Sequence, residues 1–580
     1  MERRVLLAIF LCFLVLYLWQ ALIVKPVPKP GAATTPATAG GTQVAGAAGA
    51  TAPTSRPDQP GPRGPQPTIE TPPPAVVPAA AAVVGDTTER DIRVENRDVT
   101  AVFTNRGARL KSWKLKHYLD KDKQSQELVE SELQPLPFTL RTPDEQANAA
   151  LNSALYTVNA RPSETTSPAR ATDLRFEYRD SAGLNAVKEF HLDASSYIVT
   201  FRATVSVGDR ALPIAVVWGP AVGDHLATSS LIQGAQGLLF ENGSAVRLSA
   251  KDVANQQTRE GNFRYAGVDD NYFMVAAIDP GPSKITYQPV SIPLPAGSKP
   301  ATRELLSYTI ESRQDSGALK FFIGPKDLDV LTAIDREFAS AINFGRFSVI
   351  VVPLLQSLKW VHGYVGNWGW AIVILTVIIN LVMAPLRHKQ VVSMRKMQEI
   401  SPEVKAIQDR YSKLKATDPG KQKMNQEMMA LYREKKVNPA AGCVPMLLTL
   451  PIMIAMWAVL QVSIELRGAP WFGWIQDLSA PDPYYVLPIL MVVTQFAQQS
   501  MMPMAGSDPT QQKMMKFMPL VMGFIFFSLP AGALLYYVVG TVIGIGQQYV
   551  TNQIIGPPTV RAVRPPAERR VKRKGEGGIG

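Results

Sequence analysis

Residues 368–389 read WGWAIVILTVIINLVMAPLRHK, nineteen residues without a charge as far as Leu386, followed at once by Arg387, His388 and Lys389. A run of about twenty apolar residues is the length that crosses a bilayer as a helix. A Lys/Arg excess at its end marks the side that stays in the cytoplasm. The basic excess continues, since Arg387 to Lys436 carries 13 Lys/Arg against 6 Asp/Glu. Five methionines lie in the same stretch: Met394, Met397, Met424, Met428 and Met429. Methionine is flexible and polarizable, and suits surfaces that must accept many apolar shapes. A basic, methionine-bearing element beside a span suggests the handling of other proteins' hydrophobic segments.

Outward from this stretch the rest of the chain takes its place. Val5–Val24 is apolar over a full span length, follows Glu2-Arg-Arg4 and precedes no small-residue cleavage site, so it reads as an uncleaved anchor. Gly442–Ile464, Tyr484–Met502, Phe517–Leu529 and Ala533–Val550 are further apolar runs. With the anchor they predict six spans, five of them forming an α-helical bundle, with both termini inside. The charges agree: Glu465–Pro483, expected outside, has one Arg against three acids, and the tail after Pro557 has 7 basic and 2 acidic residues. Phe347–Leu355 is broken by Pro353 and too short to cross, and segment 330–366 is expected to hold an amphipathic helix lying in the outer interface. The net charge of +12 thus reports topology and membrane contact, not DNA binding.

Residues 25–87 are rich in Pro, Ala, Gly and Thr and read as a disordered tether. From 88 to 329 strand signals dominate. Val99–Thr104 alternates, Asn105-Arg-Gly107 turns, and Arg109–Leu115 alternates again; Tyr197–Val205 and Leu306–Ile310 do the same. Many strands without regular intervening helices predict an antiparallel β-sandwich. The core then runs over 367–555 and the basic tail over 556–580.

The stretch 387–436 reads as a helical hairpin. Ser401-Pro402 with Glu403 has the form of a helix start. Val404, Ile407, Tyr411 and Leu414 recur at heptad spacing, Asp418-Pro-Gly420 turns, and Met424, Met428 and Leu431 continue the seam. Met424 and Met428 serve equally as seam filler or as substrate contacts, while Met429 must face elsewhere.

Enzyme signatures are missing: no HExxH, no phosphate-binding loop, no GxSxG, five scattered histidines and only Cys12 and Cys443 as thiols. No catalytic residue, metal or cofactor is expected. No Asp or Glu lies inside a span, which removes the usual currency of a proton-coupled transporter. A sugar-modifying envelope protein would need an acid–base pair in a cleft of the β-rich part. The spans do carry neutral polar groups. Thr376 and Asn380 share a helix face that Met383 and Arg387 extend inward; Gln495 and Gln498 lie on a second span, and Tyr537 and Thr541 on a third. Such groups serve either as hydrogen-bond glue between helices or as the wall of a shared hydrophilic cavity.

Gly366-Asn-Trp-Gly369, Met383-Ala-Pro-Leu386, Gln426–Tyr432, Val437–Cys443, Asp482–Leu490, Gln511-Gln-Lys513, Phe517-Met-Pro519 and Leu535-Tyr-Tyr537 together resemble the YidC-type membrane protein insertases of Gram-negative inner membranes. The resemblance covers about residues 330–555. It implies a hydrophilic groove open to cytoplasm and lipid and closed to the outside, a periplasmic β-sandwich similar to sugar-mutarotase folds, and inner-membrane localisation. It also implies nascent membrane proteins as substrates, the Sec translocase as partner, and ribosome and anionic lipid met through the hairpin and tail. Thr376 and Tyr537 fall where the family lines its groove. Position 380, where the family usually has a positive residue, is Asn here; Arg387 is the nearest positive charge on that face.

Overall fold

The structure, a computed structural model, describes residues 81–120, 122–162, 172–220, 234–293, 302–312, 317–412, 418–438, 444–501, 520 and 523–556. The expected anchor, nearly all of the tether and of the basic tail, Leu414 and residues 517–519 and 521–522 of the Phe517–Leu529 run lie outside the described residues.

The β-rich part is two antiparallel sheets, one of fourteen strands and one of four. The small sheet orders Asp91–Glu95, Val99–Thr104, Arg109–Leu119 and Ser125–Glu127 in sequence. Its alternating strands put Phe103 and Trp113 on one buried face. Phe103 meets Phe190 of the large sheet with ring centroids 4.8 Å apart, and Trp113 Nε1 donates to the Ile323 carbonyl at 2.9 Å. Phe138 sits at the centre, edge-on to Phe190, Trp218 and Phe321 at 5.1, 5.5 and 5.2 Å. Aromatic edge contacts of this kind add to the area they bury. Strand Leu319–Pro325 lies inside the large sheet, between Ile198–Val207 and Phe273–Pro293. The chain therefore leaves the sandwich from its middle, toward the helices.

Among the described residues these longer helices follow: α1 (Ser348–Val365), α2 (Trp368–Arg410), α3 (Gly420–Glu434), α4 (Val444–Val462), α5 (Val486–Met501) and α6 (Ala531–Ile555). Among the described residues α2 and α6 are long and apolar enough to cross a membrane, and α5 and the Leu450–Val462 part of α4 are shorter apolar helices. α1 buries Val351, Leu355, Leu358 and Val361 and leaves Val349, Trp360 and Tyr364 exposed. Gly366 ends it in the left-handed region, φ 68°, and Asn367 caps α2 by accepting from Trp370 N.

One expectation is corrected. Ser401-Pro402 starts no helix, because α2 runs unbroken from Trp368 to Arg410 through both Pro385 and Pro402. Pro402 forfeits one backbone hydrogen bond, and packing offsets it: Ile400, Val404 and Ile407, on both sides of the proline, are buried together with Leu431 of α3.

Candidate functional site

The end of the bundle next to the sandwich is closed. Ile464, Leu466, Ile475 and Leu478 of the loop after α4 are buried with Ala531, Ala533 and Leu534 at the start of α6. The loop is tied to α6 by Ala531 N and Gly532 N donating to the Ala480 and Leu478 carbonyls, both at 2.8 Å. Asn367 Nδ2 donates to the Pro470 carbonyl at 3.1 Å, and at Gly369 any β-carbon would stand 2.1 Å from the Trp471 ring, so only glycine lets α2 approach. Asp482 accepts from Trp474 Nε1 and from the Leu487 backbone at the start of α5.

Below this seal, polar groups line up along α2, α5 and α6. Thr376 and Asn380 are 0% and 4% exposed. Opposite them stands Gly540 of α6, where a β-carbon would meet Asn380 Nδ2 and the Thr376 methyl at an ordinary contact distance of 3.7 Å. Thr376 Oγ1 and Thr541 Oγ1 turn back to their own helices, donating to the Ile372 and Tyr537 carbonyls. Asn380 Nδ2 donates to the Thr376 carbonyl at 2.7 Å, but its Oδ1 is buried without a partner. Tyr537 and Gln495 are half-buried, and the Tyr537 ring lies 6.5 Å from Trp457.

At the other end of the helices from the seal, α2 and α6 enclose a cavity of about 680 Å³. Of the residues singled out in the sequence, Arg387, Met394 and Gln498 line it. A β-carbon on Gly544 would stand 2.8 Å from Gln498 Nε2 and 3.2 Å from Arg387 Nη1, so glycine there admits both groups against α6. Thr376, Asn380 and Thr541 belong to the packed zone between cavity and seal.

Two residues that sequence reasoning did not place in the site belong to it. Gln547 Nε2 donates to the Asn380 carbonyl at 3.2 Å while its Oε1 accepts from Arg387, linking the two levels. Thr551 Oγ1 lies 3.4 Å from His388 Nδ1 on the cavity wall. A second interhelical bond runs from Gln548 Nε2 to the Met501 carbonyl at 2.9 Å. The consecutive glutamines at 547 and 548 near the end of an apolar span were the available signal.

In the hairpin, Met397, Met424 and Met428 pack around the buried seam, and Met429 is 42% exposed. The arms are pinned by Arg410–Glu427 at 3.1 Å and Lys435–Glu403 at 3.1 Å. This small cluster is separate from the main core.

The sandwich is joined to the closed end of the bundle. Lys359 of α1 reaches Asp327, Asp329 and Glu465 at 3.3, 2.7 and 2.7 Å. Burial raises the Glu465 carboxyl, an effect the Lys359 ammonium opposes. Burial works against the charge on Lys359, but Glu465, Asp329 and Asp327 outweigh it and raise its pKa. Arg467 lies 5.1 Å from the Phe273 ring centroid and donates to Gln126 Oε1 at 2.7 Å. Asn271 Nδ2 donates to the Gln461 carbonyl at 2.9 Å.

Comparison with known proteins adds the following. Residues 360–557 match the family described as 60Kd inner membrane protein, and residues 91–357 match the YidC periplasmic domain. The membrane protein insertase YidC of Geobacter metallireducens is 34% identical over 576 residues, covering 96% of this chain and 99% of the relative. Its counterpart in Pelobacter propionicus is 32% identical over 584 residues, covering 96% and 100%. Among solved structures, a YidC insertase with its first transmembrane domain resolved aligns at 19% identity and a TM-score of 0.34, over 81% of this chain and 95% of that one.

Proposed function

This chain belongs to the YidC membrane protein insertase family, a bacterial inner-membrane protein with a periplasmic domain, and from that premise we propose that it moves hydrophobic segments of nascent proteins through a hydrophilic groove between α2, α5 and α6. The observation that carries the groove is the polar line from Thr376 through Asn380 and Gln547 to Arg387 and Gln498, sealed at one end and open as a cavity at the other. Asn380 Oδ1, buried without a partner, is an acceptor that a hydrated path would satisfy.

In this reading the chain has six spans with both termini in the cytoplasm, divided as 1–24, 25–87, 88–329, 330–366, 367–555 and 556–580. Trp360, Tyr364, Trp370, Phe472, Trp474 and Tyr484 are exposed near the sealed end and mark the outer interface. A nascent chain meets the hairpin and the basic tail, which also face the ribosome and anionic lipid. Its polar terminus enters the groove, and its apolar segment slides past the methionine-bearing flank into lipid, alone or beside the Sec translocase. The driving force is the transfer of about twenty apolar residues into hydrocarbon, and no covalent step is needed.

Thr376→Lys and Tyr537→Asp are expected to reduce insertion of a small dependent substrate by roughly tenfold or more, since a charge at mid-span costs about 2.5–3.5 kcal/mol. Photocrosslinkers at Gln495 and Tyr537, the half-buried positions, should capture a stalled substrate helix. Normal insertion by both variants at unchanged protein levels sinks the groove assignment.

A further inference from the structure

Among the described residues no anion answers the charge of Arg387. It is half-buried, its hydrogen bond to Gln547 Oε1 is a long 3.5 Å, and no described Asp or Glu lines the cavity it enters. A guanidinium withdrawn from water without an anion is costly. His388 follows on the same wall, beside Thr551. The cavity rim is apolar and faces outward: Leu381, Val550 and Ile554 are 62%, 55% and 72% exposed. Depth decides what kind of anion fits. Trp370, in the outer aromatic belt, and Arg387 are 17 residues apart on one helix, which is about 26 Å of rise against a hydrocarbon core of about 30 Å. Arg387 therefore stands at the level of the opposite headgroups, not at mid-membrane.

We propose that an anionic phospholipid of the inner leaflet seats its phosphate between Arg387 and His388, with an acyl chain along Leu381, Val550 and Ile554. The guanidinium fork matches two phosphate oxygens, and basic pockets between spans at the cytoplasmic side suit anionic headgroups. An acidic side chain of a passing substrate would find the same charge, but it has no use for the lipid-facing apolar rim. The proposal rests on the inward orientation of this helix end given above. It separates this built site from general attraction of lipid by the basic hairpin and tail.

The test uses the full chain in nanodiscs of phosphatidylcholine with or without phosphatidylglycerol, followed by native mass spectrometry of the lipid retained. Phosphatidylglycerol should be retained in preference. Arg387→Gln should weaken that retention by about fivefold, the effect of one basic residue near the surface, and His388→Ala should weaken it through the loss of a ring N–H donor, while exposed Lys389→Gln leaves it unchanged. Displacement by inorganic phosphate, with no lipid preference, means a free-phosphate site and overturns the proposal. So does displacement by a peptide carrying an acidic tail, or equal loss in all three variants. Orientation is read separately: Lys389→Cys, in a chain with Cys12 and Cys443 replaced, should react with an impermeant maleimide only from the cytoplasmic face. Reaction from the other face overturns the topology and the lipid site with it.

Discussion

Asp270 shows at the scale of one residue how the joint between sandwich and bundle is tuned. It is 8% exposed, and its Oδ1 accepts from Tyr272 N and Phe273 N at 2.8 and 2.7 Å, shaping the loop that meets Arg467. Burial pushes its pKa up to about 6, against the pull of those amides and of Lys326. The native state thus holds a proton that the unfolded chain releases near pH 4. The resulting stability is fully present below about pH 4 and is lost as pH rises through about 6. Asp270→Asn keeps an oxygen acceptor and removes the titration. It is expected to be more stable than the parent at pH 7.5, by up to ~3 kcal/mol, with the gap closing toward pH 4 in detergent-solubilised melts. A gap of equal size at both pH values would show that the carboxyl does not titrate in this window.

At the scale of the element, the hairpin is a stability unit of its own. Its seam of Ile400, Val404, Ile407 and Leu431 touches no other core. Leu431→Ala is expected to cost about 2 kcal/mol locally and to speed proteolysis within 387–436 by roughly thirtyfold, leaving the melting of the bundle unchanged. A shift in bundle melting instead would mean that the hairpin and core fold as one unit. Most of this element was legible in the sequence, because heptad spacing reports which side chains share a face. The start at Ser401-Pro402 misled for a physical reason: a capping signal is local, whereas seam burial on both sides of the proline is tertiary. The strands at Val99–Thr104 and Arg109–Leu119 were legible from period two alone, and the nine-residue helix Glu145–Ser153 among them was not, being a short element started by the Asp144 cap. Gln498, expected in the groove, and Arg387, expected at the start of the hairpin, both approach Gly544. Gln547 escaped because it lies about 100° around the helix from the face followed through Tyr537 and Thr541.

For the whole molecule, Lys359 is the tie between sandwich and bundle. It is 20% exposed and Glu465 is 11% exposed, so removing the lysine strands a largely buried carboxylate. Lys359→Met is expected to destabilise the chain by about 2–3 kcal/mol and to raise protease access around 326–348, and the pair Lys359→Met with Glu465→Gln should recover most of the loss. Equal loss in single and double variants would show that the pair does not act as a unit. The unbroken α2 carries a mechanical consequence as well. It joins the Thr376–Asn380 wall and the first arm of the hairpin in one rod. With Arg387 at the headgroup level, as proposed above, that residue would be its fulcrum. The arm from Arg387 to Arg410 is about 35 Å long and that from Arg387 to Thr376 about 17 Å. A load that swings the hairpin tip therefore moves the wall by about half as much in the opposite direction, with twice the force.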